Sequence, residues 1–271
     1  MKRAYADIPE GQIHYRTGGS GEPILLLHMA GGCSDEYTRV IPFLSKSYRA
    51  IAPDFLGYGE SDKPPSEYQV PDHAQTVISF MDSLGIEKAS VVGHHGGAQV
   101  GVELAVTWPH RVDKLVLSSL PHWREKDQAK AMFKDAFFSR VEIRADGSHL
   151  TEWWNRANLT VYAGPHAPET PLEIIEERAF HLHKAGPRGE ELHWASFNYG
   201  PEHNKKLPLI KCPTLVLSAT RDRFYPMVED IKRLIPRSRI AIIENGAVWV
   251  TSVMPKEFAE AILKFLESPG V

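Results

Sequence analysis

The chain has little cysteine, no long apolar run and no excess of one charge sign, and each shortage removes a class of function. Its 271 residues include two cysteines, Cys33 and Cys212. They form no CxxC or other metal-like spacing and allow at most one bridge, so a disulfide framework is excluded. No uncharged apolar stretch approaches the ~20 residues that span a bilayer, and the opening MKRAYADIPEGQ has no apolar h-region of a secretory signal. Net charge is −3 with acids and bases interspersed. That balance gives no basic stripe for nucleic acid and no acidic tail. With 42 % apolar and 24 % charged residues, the composition is that of a soluble globular protein. The expectation is a reduced, cytoplasmic protein that meets a small molecule rather than nucleic acid or membrane, needs no cofactor, and is free to form a homo-oligomer.

What is present is a recurrence of short apolar runs with helical stretches between them, the pattern of a mostly parallel sheet covered on both faces. The runs predict strands at Gln12–Arg16, Pro23–His28, Tyr48–Ala52, Ala89–Val92, Lys114–Ser118, Thr214–Ser218 and Ile240–Ile243. A further strand at Ala4–Ile8 pairs with the first as a hairpin. Helices are predicted near Ser34–Leu44, Asp72–Leu84, Gly97–Trp108, Pro226–Leu234 and Pro255–Glu267, with Ser34 and Asp72 as caps. From 120 to 207 the alternation stops, and Trp123, Trp153, Trp154 and Trp194 appear without β-branched runs. The reading is an α/β core from 1–119 and 208–271, with 120–207 inserted as a helical cap.

One segment carries chemistry. Ser90-Val-Val-Gly-His-His-Gly-Gly passes from strand to helix through Gly93, Gly96 and Gly97. A sharp strand–turn–helix forces its central residue into a strained conformation, and small neighbours relieve the crowding. That central residue is His95. The amide of Gly96 then lies at a helix N-terminus, where it can donate to developing negative charge.

With this elbow, three further segments resemble the α/β-hydrolase superfamily. Leu25-Leu-Leu-His-Met-Ala-Gly-Gly is similar to its strand and oxyanion loop. Asp54-Phe-Leu-Gly-Tyr-Gly-Glu-Ser is similar to its Asp-x-x-Gly-x-Gly-x-Ser loop. Trp108-Pro-His-Arg-Val-Asp-Lys-Leu-Val-Leu is similar to the link into the next strand. The resemblance implies a sheet of about eight strands with a cap. It also implies an acid after a late strand, which falls on Asp222, and a base in a turn after the last strand, which falls on Trp249. It places oxyanion donors at the amides of Ala30 and Gly96, with Met29 where a glycine is usual. His95 then stands where the nucleophilic serine is expected, and no histidine follows His203. Serine becomes a nucleophile only beside a base, and indole accepts no proton at neutral pH. The Ser-His-Asp route is therefore absent under this alignment.

Imidazole reaches further than a hydroxyl. If Trp249 leaves room, His95 pairs with Asp222 and serves as a general base or nucleophile. If Trp249 fills the gap, it isolates Asp222 and leaves His95 as a polar wall. Met29, His122 and Trp249 are the expected pocket residues. His28 and His94 read as structural, Asp54 as a loop anchor, and Cys33 as a small buried thiol rather than a nucleophile. His181, His183 and His193 read as cap surface, and no metal site is expected, neither there nor among His94, His95 and His122. Three functions follow from these residues: hydrolysis of an ester-like bond in a small, partly apolar carbonyl compound; a lyase- or isomerase-type proton transfer; or ligand binding without turnover.

Overall fold

The computed structural model describes residues 1–123, 140–159 and 171–268. Its strands are β1 (Lys2–Ile8), β2 (Gly11–Gly18), β3 (Pro23–Leu27), β4 (Arg49–Pro53), β5 (Ala89–His94), β6 (Val112–Ser118), β7 (Thr214–Ala219) and β8 (Ser238–Ile243). They form one eight-stranded sheet in the order β1-β2-β4-β3-β5-β6-β7-β8. β1 and β2 make the antiparallel hairpin, with Ile8 opposite Gly11. β2 is also antiparallel to β4, and the other neighbours run parallel.

Period-two alternation divides the parallel strands between two cores. Leu25, Leu27, Val91, Leu115, Leu117 and Val216 face one side, against α2 (Val70–Ser83), α3 (Gly96–Thr107) and α7 (Val228–Leu234). Ile24, Leu26, Val92, Val116, Leu215 and Leu217 face the other, against α1 (Ile41–Leu44), α8 (Val250–Val253) and α9 (Pro255–Glu267). Between β6 and β7 the chain leaves the sheet and contributes α4 (Ser148–Leu159), α5 (Leu172–Ala185) and α6 (Glu191–Lys206). Much of 120–207 is thus helical where described, while 124–139 and 160–170 lie outside the described residues. No helix among the described residues is long and apolar enough to cross a membrane.

Two helix starts differ from expectation, each for a visible reason. The stretch from Ser34 is a single 3₁₀ turn to Tyr37, and the α-helix begins only at Ile41. Ser34 caps nothing: it is the first residue of the turn, Cys33 holds the cap position, and the Ser34 N–H donates to Asp54 Oδ1 at 2.6 Å. The second helix begins at Val70, two residues before Asp72. Gln69 is its cap, and Asp72 Oδ2 accepts the Gln69 N–H at 2.8 Å, so Asp72 closes a capping box.

Candidate active site

Four loops converge at the carboxyl ends of β3, β5, β7 and β8, the edge where open α/β sheets bind ligands. The turn from β5 into α3 holds His95 at φ 48° and ψ −115°, left-handed backbone that costs a side-chain-bearing residue on the order of 1–3 kcal/mol. The glycines around it are sterically required. A Cβ on Gly93 would sit 2.3 Å from the Gly97 carbonyl oxygen, and one on Gly97 would sit 2.2 Å from that of Leu27.

His95 points toward the loop after β7, where its Nε2–H donates to Asp222 Oδ2 at 2.9 Å. The other Asp222 oxygen accepts the Phe224 amide at 2.9 Å. Burial of Asp222 opposes ionisation, but the charge and hydrogen bond of His95 and the Phe224 amide prevail and hold the carboxyl below its usual range. With Nε2 committed to Asp222, Nδ1 is the basic nitrogen, and no hydrogen bond engages it among the described residues. Its side chain keeps 13 % exposure, against 0 % for Asp222.

Trp249 does not stand between them. Its indole packs with Met29, Ile174 and Val248, under the Arg178 guanidinium at 5.6 Å from the ring centroid. The arrangement in which Trp249 isolates Asp222 is therefore overturned. Trp249 lines a neighbouring cavity of about 320 Å³ and shares Met29 with the cavity at His95.

The cavity at His95 has a volume of about 460 Å³. Met29, Ala30, Gly96 and Val248 line its sheet side. Ala30 N lies 3.4 Å from where a Cβ on Gly96 would be, so the two expected donor amides are neighbours. Neither has an acceptor among the described residues. The remaining wall comes from Pro121, His193, Ser196, Arg223 and Phe224, which sequence reasoning did not single out as pocket residues. Arg223 and Phe224 adjoin Asp222 and could have been inferred from that adjacency. His193 and Ser196 come from α6, whose packing no local pattern reveals, and His193 is a cavity residue rather than surface. His122, expected in the pocket, is buried with its ring 5.9 Å from that of His203. Pro121 takes the wall position instead.

His28 and His94 read as scaffold. His28 Nδ1–H donates to Met29 O at 2.8 Å and its Nε2 accepts the Phe55 amide at 3.0 Å. Burial lowers it to about 4. His94 donates from Nε2 to Val248 O and accepts from Ser118 Oγ at Nδ1, each at 2.9 Å, and burial lowers it to about 3. Asp54 anchors its loop through His14, Ser34 and Glu60. Burial first, then the charges of Asp54 and Asp35, push the Cys33 thiol well up, which removes it as a nucleophile. Among the described residues Cys33, Asp35 and His181 bring ligand atoms within 4.8 Å of one another.

Residues 22–250 match the alpha/beta hydrolase fold family. The chain belongs to that family. The 2-hydroxy-6-oxo-6-phenylhexa-2,4-dienoate hydrolase of Comamonas testosteroni is 27 % identical over 96 % of this chain and 93 % of its own. Haloalkane dehalogenase 2 of Mycobacterium tuberculosis is 36 % identical over 118 residues, 43 % of this chain and 41 % of its own. The enol-lactonase of Burkholderia xenovorans LB400 superposes with a TM-score of 0.80 at 20 % identity, covering 98 % of this chain and all of that one. Hydrolase-type activity is thus common among these relatives on the shared hydrolase fold.

Proposed function

We propose that the protein is a hydrolase that works without a serine nucleophile, with His95 as general base, Asp222 as its partner and Ala30 and Gly96 as the oxyanion hole. The substrate is a small, partly apolar carbonyl compound with an ester-like bond, taken up beneath a cap formed by 120–207. The observation that carries this reading is the 2.9 Å His95–Asp222 hydrogen bond, which leaves Nδ1 without a partner among the described residues, on a side chain that lines the cavity. In the proposed step Nδ1 removes a proton from water as its oxygen bonds to the carbonyl carbon. The oxyanion is held by the two amides, and Asp222 stabilises the imidazolium. Collapse expels the leaving group, which takes the proton back from Nδ1.

A second reading is proton abstraction next to a carbonyl, as in a lyase or isomerase. One base and one oxyanion hole suffice for it, and no covalent nucleophile is required. Turnover of an ester, lactone and amide panel, set against product analysis of enolisable ketones, separates the two. In either case His95→Ala should lose activity by ~10²–10⁴-fold with the circular-dichroism spectrum unchanged. Asp222→Asn should lose most of it. Full activity in His95→Ala would overturn the assignment, and wild type that turns over neither panel while retaining a small apolar ligand would make the protein a binder.

A further inference from the structure

The second cavity, beyond Trp249, meets a group of side chains that the proposed reaction leaves unused. Cys33 and Asp35 come from the loop and 3₁₀ turn after β3, and His181 comes from α5 in the inserted segment. Two hydrogens converge on one oxygen. Cys33 Sγ–H points to Asp35 Oδ2 at 3.7 Å, and His181 Nε2–H to the same oxygen at 3.2 Å. Arg16 is paired with the other oxygen, Oδ1, and so leaves Oδ2 to these two.

Two of the three separations approach those of a coordination sphere, and all three ligand atoms lie within 4.8 Å of one another. Zinc bonds of ~2.3 Å to sulfur and ~2.0–2.2 Å to nitrogen and oxygen, at tetrahedral angles, separate the ligand atoms by about 3.4–3.6 Å. The two observed separations lie within about 0.2 Å of that range. Two further carboxyl side chains line the cavity. Glu177 precedes His181 by four residues, so both project from one face of α5. Glu36 also lines the cavity; it is buried, and its Oε1 has no hydrogen-bond partner among the described residues.

We propose that Cys33, Asp35 and His181 bind a divalent cation of the zinc class, with a fourth position open toward Glu177, Glu36 and the cavity. On binding, Cys33 releases its thiol proton to solvent and His181 presents Nε2 by carrying its proton on Nδ1. Thiolate, imidazole and carboxylate together select zinc over the hard cations magnesium and calcium. The metal would join α5 to the loop that bears Met29 and Ala30.

The test is a titration of chelator-treated full-length protein with Co²⁺, whose thiolate charge-transfer band reports sulfur ligation. One equivalent should saturate a band that is present in wild type and Cys212→Ser and absent in Cys33→Ser. His181→Ala should weaken binding by more than the ~10–100-fold lost with an outer partner of a metal ligand. Zn²⁺ should raise the thermal midpoint of wild type and leave that of Cys33→Ser where it was. A wild type without the band, or a band that survives Cys33→Ser or vanishes in Cys212→Ser, overturns the site.

Discussion

At the scale of the residue, His95 is held by two opposed terms. Its backbone lies at φ 48°, where a side chain is strained, while its ring stabilises a carboxylate with no exposure. The terms can be separated by two truncations. His95→Ala removes the ring and keeps the strain, whereas His95→Gly removes both. Glycine ordinarily costs about 0.5–1 kcal/mol relative to alanine in an ordered segment. Here the order should invert, with His95→Gly more stable than His95→Ala by about 1 kcal/mol in urea denaturation. Equal stabilities would mean that the turn relaxes once the ring is gone. Both variants should fall below wild type, because each leaves Asp222 buried without its partner.

At the scale of the element, the loop proposed to supply an oxyanion donor is supported from the segment between β6 and β7. Arg178 of α5 donates from Nη2 to the Ala30 carbonyl at 2.7 Å, and Gly31 follows at φ 65°, where a Cβ would lie 2.8 Å from that Nη2. The guanidinium therefore fixes the loop that presents the Ala30 amide. Donors aimed at developing charge act in the transition state more than in the ground state. Arg178→Met should accordingly lower kcat by about tenfold or more and leave KM nearly unchanged. A rise in KM at constant kcat would instead assign Arg178 to substrate binding.

This support could not be read from the sequence, because it joins residues 148 positions apart across two layers. The elbow could be read, since Gly93, His95, Gly96 and Gly97 meet a local steric demand within five residues. Asp222 was legible from its place after a late strand. The position of Trp249 was legible too, but not the direction of its ring, which depends on Met29 from the loop after β3 and on Ile174 and Arg178 from α5. The bond that holds Ser34 was hidden as well, because its partner, the carboxylate of Asp54, lies twenty residues further on. Contacts made by neighbours in the chain show in the pattern, and those made by distant loops do not.

At the scale of the molecule, burial makes folding sensitive to mild acid. His28 is lowered to about 4, and His73, His94 and His203 to about 3, against 6.5 for an unfolded histidine. Below pH 6.5 the unfolded chain takes up these protons while the folded chain refuses them. The histidine contribution to stability therefore stands in full above pH 6.5 and falls as pH drops toward 4. Glu36 acts in the opposite sense. Burial raises its carboxyl to about 8, so the folded state keeps that proton and loses stability as pH rises from 4.5 to 8. Four histidines outweigh one carboxyl, and the net slope through pH 5–6 has the histidine sign. The group to remove is His73, whose Nδ1 has no hydrogen-bond partner among the described residues and whose ring lies among Phe55, Tyr58 and Tyr68. Phenylalanine fills that aromatic setting without a proton to gain. His73→Phe should therefore be stabilised relative to wild type by about 2 kcal/mol more at pH 5 than at pH 8, measured as the difference in urea midpoints. A difference independent of pH would show that His73 titrates alike in the folded and unfolded chains, and the acid sensitivity would then rest on the other three.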